Sequence, residues 1–477
     1  MSTILIHPFP ATGHFNASYG LAECLKSKGH RIVYFGTHEF RESILKNGWE
    51  YYVVESSIIP YYLFESRKYG SLVAWFNNLT EQISGKREMQ QLEIQERNDY
   101  IIKKINPDLI LLDAFYIGEA VYYYKHKIKI ISYQSMVATN ADSFAPPYRY
   151  SFVPSGLILS TLYVSFLWRK HILWKSFKNR FYKVWHCKQG YIELLKKTSK
   201  QTGFPFNSEL DINHFVSYGF SFKSIPELIL SPPEFDFRKE IRPNHLHVGP
   251  ILHHQRDSYH ADLRFSKVLN DILLLKANSN NKVVFIYCSL GTNTYAELKL
   301  VHKFFQKIRN ICCTNKKIVM LISVGKDYDI KLLGDIPENL FVFKSVPQLE
   351  VLKQCDMMIT HGGMNTVTEC VLNEVPMLVY SLVKVWDQPG NAARVVYHGL
   401  GLKGKITRDS YKQMQLKMNY ILKNYQLFKD NLHQMKYRFN LDYKKEYAVN
   451  IIETHLNTKT YGHQIHKEDI NTPARTT

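Results

Sequence analysis

Short apolar runs alternate with longer amphipathic stretches along most of the chain. Ile4, Leu5 and Ile6 form the first run; a polar turn over 10–14 and a helical pattern to Lys28, stopped by Gly29, follow. Further runs over 31–35, 108–112, 129–132, 228–231 and 245–248 predict strands, with helical segments between them. Continuous apolar runs of this length suit parallel strands covered on both faces. The pattern breaks after Val248-Gly249-Pro250, where 253–259 is polar and unperiodic, and then resumes. Strands are predicted over 282–289, 317–323, 340–343, 357–360 and 376–380. Helices are predicted over 296–309, 349–354 and 390–397, with Pro389 suited to a helix start, and from 407 to about 456. Two successive β/α series predict an α/β chain of two doubly wound domains with parallel sheets. The boundaries fall at 1–250, a linker at 251–259, and 260–430. A helix over 431–456 is expected to return to the first domain, and 457–477 reads as a disordered tail.

The stretch from Val346 to Gln388 concentrates the polar chemistry. A predicted strand ends in His361-Gly362-Gly363, and a helix starts near Asn365. Two glycines allow close backbone approach to a ligand, and the free N–H groups of the helix start suit a phosphate. His361, Asn365 and Thr366 add donors there. Glu369, one turn on, can accept from hydroxyls, and Asp387-Gln388 closes the stretch. Diphosphate, ribose and sugar would all find partners, which suits a nucleotide sugar.

His14 follows the first predicted strand and Asp113 ends another. Both therefore belong at the carboxyl edge of one parallel sheet, where open α/β folds bind ligands. A carboxylate on the far ring nitrogen would fix the tautomer and stabilise an imidazolium, making the pair a candidate general-base dyad. The competing reading of Asp113 is a simple cap after a strand. Two other motifs carry less. Gly399-Leu400-Gly401-Leu402-Lys403-Gly404 fits G-x-G-x-x-G but follows a helix, and reads as a helix stop with a loop. Asp327-Tyr328-Asp329 reads as a surface loop, with no required metal expected. His253, His254, His463 and His466 lie in polar segments and read as solvated.

One region departs from the alternation. Between Phe152 and Trp185 aromatic residues are interleaved with Arg169, Lys170, Lys175, Lys178, Arg180 and Lys183, and Trp174, Phe177, Phe181, Val184 and Trp185 share a helical face. Such a helix can face a core, wall an apolar pocket, or lie on an anionic membrane. The formal charge of +19 favours anionic partners, although the basic residues are spread along the chain and no nucleic-acid motif is present. Seven scattered cysteines without a CxxC pair suggest reduced thiols and a cytoplasmic setting. The first residues, MSTILIHPFP, do not form a signal peptide, and no run is long enough to span a membrane.

The segments FPATGHFNAS, PDLILLDAF, LHVGP, YCSLGT, SVPQLEVL, THGGMNTVTE and DQPGNAARV, in that order, resemble the inverting UDP-glycosyltransferases, particularly the bacterial macrolide-type members. The resemblance covers nearly the whole chain. It implies a GT-B fold, two Rossmann-like domains facing across a cleft, acting without cofactor or metal on a UDP-sugar co-substrate and an apolar hydroxyl-bearing acceptor. By resemblance His14 is the base and Asp113 its partner. Ser289, Gly291 and Thr292 border the donor, and Val346 and Gln348 meet its base. His361, Gly363, Asn365 and Thr366 hold the diphosphate, Glu369 the ribose, and Asp387 and Gln388 the sugar. Ser345 stands where plant members carry Trp, which leaves UDP and TDP both open. A nucleotide-sugar epimerase and a non-catalytic sugar-nucleotide or lipid-binding protein are the other classes compatible with these residues.

Overall fold

The computed structural model describes residues 1–58, 86–185, 191–211, 221–237, 245–251, 253, 263–278, 283–291, 297–384, 386–439 and 441–457. The first half opens with β1 (Thr3–His7), α1 (Thr12–Ser27), β2 (Arg31–Gly36), α2 (Arg41–Lys46) and β3 (Glu50–Val53). It continues with α3 (Lys86–Ile105), β4 (Leu109–Asp113), α4 (Glu119–Tyr123), β5 (Lys129–Gln134), α5 (Ile158–Trp185) and α6 (Tyr191–Thr202). A short helix α7 (Phe206–Glu209) leads into β6 (Leu210–Asp211), which pairs antiparallel with β7 (Ser221–Phe222); β8 (Glu227–Ile229) and β9 (His245–His247) follow. Seven parallel strands lie in the order β3-β2-β1-β4-β5-β8-β9. Every residue of β4 is buried, as expected for a strand with covering layers on both faces.

The second half runs α8 (Leu263–Asn278), β10 (Val284–Ser289), α9 (Leu298–Thr314), β11 (Ile318–Ser323), β12 (Leu340–Phe343), α10 (Gln348–Leu352) and β13 (Met357–Thr360). Then come α11 (Met364–Leu372), β14 (Met377–Val379), α12 (Gln388–Tyr397), β15 (Gly401–Lys403), α13 (Tyr411–Lys423), α14 (Tyr425–Phe439) and α15 (Leu441–Asn457). Its sheet is also wholly parallel, in the order β12-β11-β10-β13-β14-β15. α9 shows why these helices form and where they face. Val301, Phe304, Phe305, Ile308, Ile311 and Cys312 make one buried stripe against the strands. Ser410 starts α13 with a capping box, its hydroxyl accepting from the Gln413 amide while the Gln413 side chain accepts from its own.

The helical stretch after 407 is broken into three helices. The last, α15, buries Ala448, Val449, Ile451 and Ile452 in the same core as Ile4, Leu21 and Leu25 of the first half. Gly401–Lys403, expected as part of a loop, is instead the edge strand β15, paired with β14 from Met377↔Gly401 to Val379↔Lys403. Three residues are too few to show a strand period, so the pairing partner alone makes the strand. His253 is not solvated: its side chain is buried, with Nδ1 3.0 Å from Glu23 and Nε2 2.8 Å from Asn47. A polar neighbourhood in sequence did not reveal polar partners far away in the chain. His254, His463, His466 and 458–477 lie outside the described residues. The described cysteines are all free thiols.

The halves share packing as well as a chain. Phe115, Met136, Tyr148 and Phe235 of the first half join Met364, Val367 and Val395 of the second in one apolar cluster. Arg394 of α12 bonds Asp236 through Nη2 at 2.6 Å and Nε at 3.1 Å, with both side chains nearly inaccessible to solvent.

Candidate active site

Parallel pairing brings the carboxyl ends of β1, β4 and β5 to one edge, with His7 opposite Leu112 and Asp113 opposite Tyr133. Asp113 is the last residue of β4 and fully buried. Its two oxygens have separate tasks: Oδ1 accepts the Phe115 amide at 2.9 Å, and Oδ2 stands 2.8 Å from His14 Nδ1. Cap and histidine partner, alternatives in the sequence, are both true. His14 lies in the first turn of α1 rather than in a preceding turn. With Nδ1 held by a carboxylate, Nδ1 carries the proton and Nε2 is left basic. The imidazole is enclosed by aromatic rings, Phe115 at 4.7 Å and Phe9 at 5.3 Å between centroids, and Trp386 of the second half lies 5.8 Å from Phe115. None of these three rings stands out in the sequence, where an aromatic reads as core.

The facing wall is built in the same way. Ser289 ends β10 opposite Thr360, which ends β13, so the two turns that follow leave the sheet side by side. The Ser289 hydroxyl accepts the Gly291 amide at 3.3 Å, and the Thr360 hydroxyl accepts the Gly362 amide at 3.2 Å. His361 fills the space between the turns. A Cβ on Gly291 would stand 2.7 Å from its ring, and one on Gly363 2.6 Å from it. Gly291 also has φ +80°, a conformation that L side chains rarely adopt. Burial lowers the His361 pKa to about 4, so the ring is neutral near pH 7, and its buried Nδ1 has no hydrogen-bond partner among the described residues. Gly363 caps α11 without a side-chain bond, which leaves the first amides of that helix to a ligand.

The remaining candidates fall around this turn with more local partners than the sequence suggested. Gln348 Nε2 donates to Glu369 at 2.6 Å and approaches Thr366 Oγ1 at 3.3 Å, so the expected base, ribose and phosphate groups are one bonded set. Val346 is buried beside them. Gln388 Oε1 accepts the amides of Leu382 and Val383 at 2.8 and 2.9 Å; its carbonyl therefore holds the loop after β14, and only its amide nitrogen remains for a sugar. Asp387 accepts from Asn391 Nδ2 at 2.8 Å, and the same amide nitrogen reaches the Gly362 carbonyl at 2.9 Å. Asn391 thus ties Asp387 to the glycine turn, a role that its place inside an ordinary helix pattern gave no sign of. Burial raises the Asp387 pKa, while the Asn391 bond and the nearby His14 charge pull it down. Asn365 Nδ2 donates to the Gly13 carbonyl at 2.9 Å, joining the glycine turn directly to the residue before His14. Thr292 lies outside the described residues. Asp329, in the Asp327-Tyr328-Asp329 loop, caps the following turn by accepting the Lys331 amide at 3.0 Å. Among the described residues no cluster of His, Cys, Asp and Glu suited to a metal is present.

The arrangement offers a base with its orienting carboxylate on one wall and an anion-binding helix start on the other. Residues 309–438 match the family model described as erythromycin biosynthesis protein CIII-like, C-terminal domain. The chain is 26% identical over 416 residues to the NDP-glycosyltransferase YjiC of Bacillus subtilis (strain 168), covering 85% of this chain and 86% of that one. It is 28% identical over 186 residues to a zeaxanthin glucosyltransferase of Pantoea ananas, 38% of each chain. Among solved structures, the glycotransferase of kitacinnamycin superposes with a TM-score of 0.65 at 18% identity, covering 95% of this chain and 98% of that one.

Proposed function

The chain belongs to the bacterial macrolide-type UDP-glycosyltransferases of the GT-B fold, and on that premise we propose how its own residues carry out transfer. Its activity is movement of a sugar from a nucleotide sugar to a small-molecule acceptor. The finer reading is a hexosyl group from UDP-sugar, with TDP-sugar as the second donor, passed to a hydroxyl of an apolar molecule or lipid with inversion. Peripheral contact with an anionic membrane belongs to the same proposed reading; among the described residues no helix is long and apolar enough to cross a membrane.

His14 Nε2 takes the acceptor hydroxyl proton while the oxygen attacks the anomeric carbon from the face opposite the diphosphate. Asp113 holds the Nδ1 proton and stabilises the imidazolium that forms. As the bond from the anomeric carbon to the diphosphate oxygen breaks, negative charge grows on the leaving group. The first amides of α11, the neutral His361 ring and Thr366 meet it with fixed dipoles, so no metal is needed. Val346 and Gln348 serve the base, Glu369 the ribose, Ser289, Gly291 and Thr292 the donor edge, and Asp387 with the Gln388 amide nitrogen the sugar. The observation that carries the reading is the 2.8 Å His14–Asp113 bond joined, through Asn365 and Gly13, to the glycine turn.

A panel of UDP- and TDP-sugars with a simple soluble phenol, read as nucleotide release in excess EDTA, tests it. Glycoside formation with inverted configuration is expected. Strict dependence on added Mg²⁺ would remove the metal-free route, and conversion of donor without acceptor would favour epimerisation.

A further inference from the structure

The transfer reaction leaves the outer face of α5 without a task. This helix is 28 residues long and contains no Asp or Glu. Its inner face is rooted in the first half by buried Ser160, Val164, Leu167, Trp168 and His171, and Trp168 Nε1 donates to the Ala145 carbonyl at 2.8 Å. Beyond His171, none of the described side chains as far as Phe181 is buried. The opposite face presents Leu159, Leu162, Phe166, Leu173 and Phe177 at helical spacing, each between 55% and 79% exposed. Trp174, 57% exposed, stacks on Phe177 at 6.1 Å. Arg169, Lys170 and Arg180 are exposed along the same helix. Among the described residues, then, nothing covers this face.

A contiguous exposed apolar face of this size marks an interaction surface. Its charge decides among partners. Pairing with a second copy would bring two basic, acid-free helices together, whereas an anionic bilayer neutralises them. An apolar stripe with basic residues beside it matches a helix lying at the boundary between headgroups and acyl chains. The helix also springs from the rim of the cleft. In the loop before it, the Tyr148 carbonyl lies so close to Gly390 of α12 that a Cβ there would be 1.8 Å away, and the Ser151 carbonyl accepts from Lys403. We propose that the outer half of α5 docks in the surface of an anionic membrane, and that the apolar acceptor passes from that membrane into the cleft. The second clause rests on the transfer activity proposed above.

The full chain is sedimented with vesicles of phosphatidylcholine alone and of phosphatidylcholine mixed with phosphatidylglycerol. Binding to the mixed vesicles is expected, weakened by added salt as screening grows. The double variant Leu173→Glu/Phe177→Glu changes only exposed positions. It should keep the wild-type melting temperature and bind at least about tenfold more weakly. Transfer to a soluble phenol should be unchanged in that variant, while transfer to a long-chain alcohol held in the vesicles falls by a similar factor. Wild-type protein that ignores the mixed vesicles, or a double variant that binds them equally, overturns the docking. A dimer in solution that this variant disperses, without vesicle binding, assigns the face to a second copy and overturns it too. Equal transfer from vesicles by both proteins overturns the delivery of acceptor. Failure of wild type on the soluble phenol would count against the transferase reading alone, because vesicle binding is measured separately.

Discussion

At His14, one hydrogen bond determines which nitrogen does the chemistry. Replacing His14 by Ala removes the base and should lower transfer by about 10²–10⁴-fold with UDP binding retained. Calorimetric UDP titration beside turnover checks both halves; near-normal turnover would sink the role. Asp113→Asn is the sharper test. The Asn carbonyl can still accept the Phe115 amide, so the turn survives, but its NH₂ would then face Nδ1 and drive the proton to Nε2. A base protonated on its working nitrogen cannot accept a proton, so turnover should fall about as far as in His14→Ala, without loss of stability. The meeting of these two residues is legible in the sequence because both follow predicted parallel strands, and such strands end on one edge. Phe9, Phe115, Trp386 and Asn391 were not legible, since an aromatic or amide inside an ordinary pattern reads as core or surface. Gln388 was only half legible: its type suits a hydroxyl partner, yet its carbonyl is used on the loop amides.

Among the elements, α11 and the two turns around His361 hold the donor wall together by close packing. Gly291→Ala would add a Cβ 2.7 Å from the His361 ring at a φ of +80°. Such strain costs about 1–3 kcal/mol, and the imidazole must shift to relieve part of it. The expected result is an increase in the KM for the nucleotide sugar by tenfold or more, about 1.4 kcal/mol for each factor of ten. Acceptor KM should change little, because His14 lies on the other wall; steady-state kinetics with each substrate varied separates the two. An unchanged donor KM would show that the ring takes no part in donor binding. Strongly periodic or fully apolar elements such as β4, β10 and α9 are legible in the sequence from their patterns alone. β15 was not, because a strand of three residues exists only through its pairing with β14. α5 was legible as a helix, but its surroundings were not. An amphipathic stripe specifies two faces without stating what covers the apolar one.

Across the whole molecule, buried neutral histidines and one buried ion pair set the response to acid and to cutting the joint between the halves. Burial lowers His7 and His171 to about 3, and His361, His398 and His455 to about 4, from an ordinary 6.5. Below 6.5 the unfolded chain takes up protons that the folded chain refuses, so the stability present above that pH is lost as pH falls toward 4. Each such group contributes up to about 1.4 kcal/mol per pH unit. Glu227, raised to about 8 by burial, and Asp387, also raised by burial, work in the opposite direction, but they are two carboxyl groups against five rings. Melting temperature should therefore fall steadily between pH 6.5 and 4; a flat profile would mean that these rings are hydrated. The halves were legible as two β/α series, but the residues that join them were not, since Asp236 and Arg394 are 158 positions apart and each looks like surface charge. In the fold both are desolvated, and Arg394 also lies over the Phe237 ring at 4.5 Å. Arg394→Ala would remove the buried guanidinium that donates twice to Asp236, a loss of about 3–5 kcal/mol. Because α12 begins at Gln388 and carries Asn391, which holds Asp387 and Gly362, loosening its seat should also misplace the sugar end of the donor. The expected signature is a lower melting temperature together with a raised donor KM. Restoring balance with Arg394→Met/Asp236→Leu should recover much of the stability. If the double variant is no more stable than Arg394→Ala, the pair contributes through packing rather than charge.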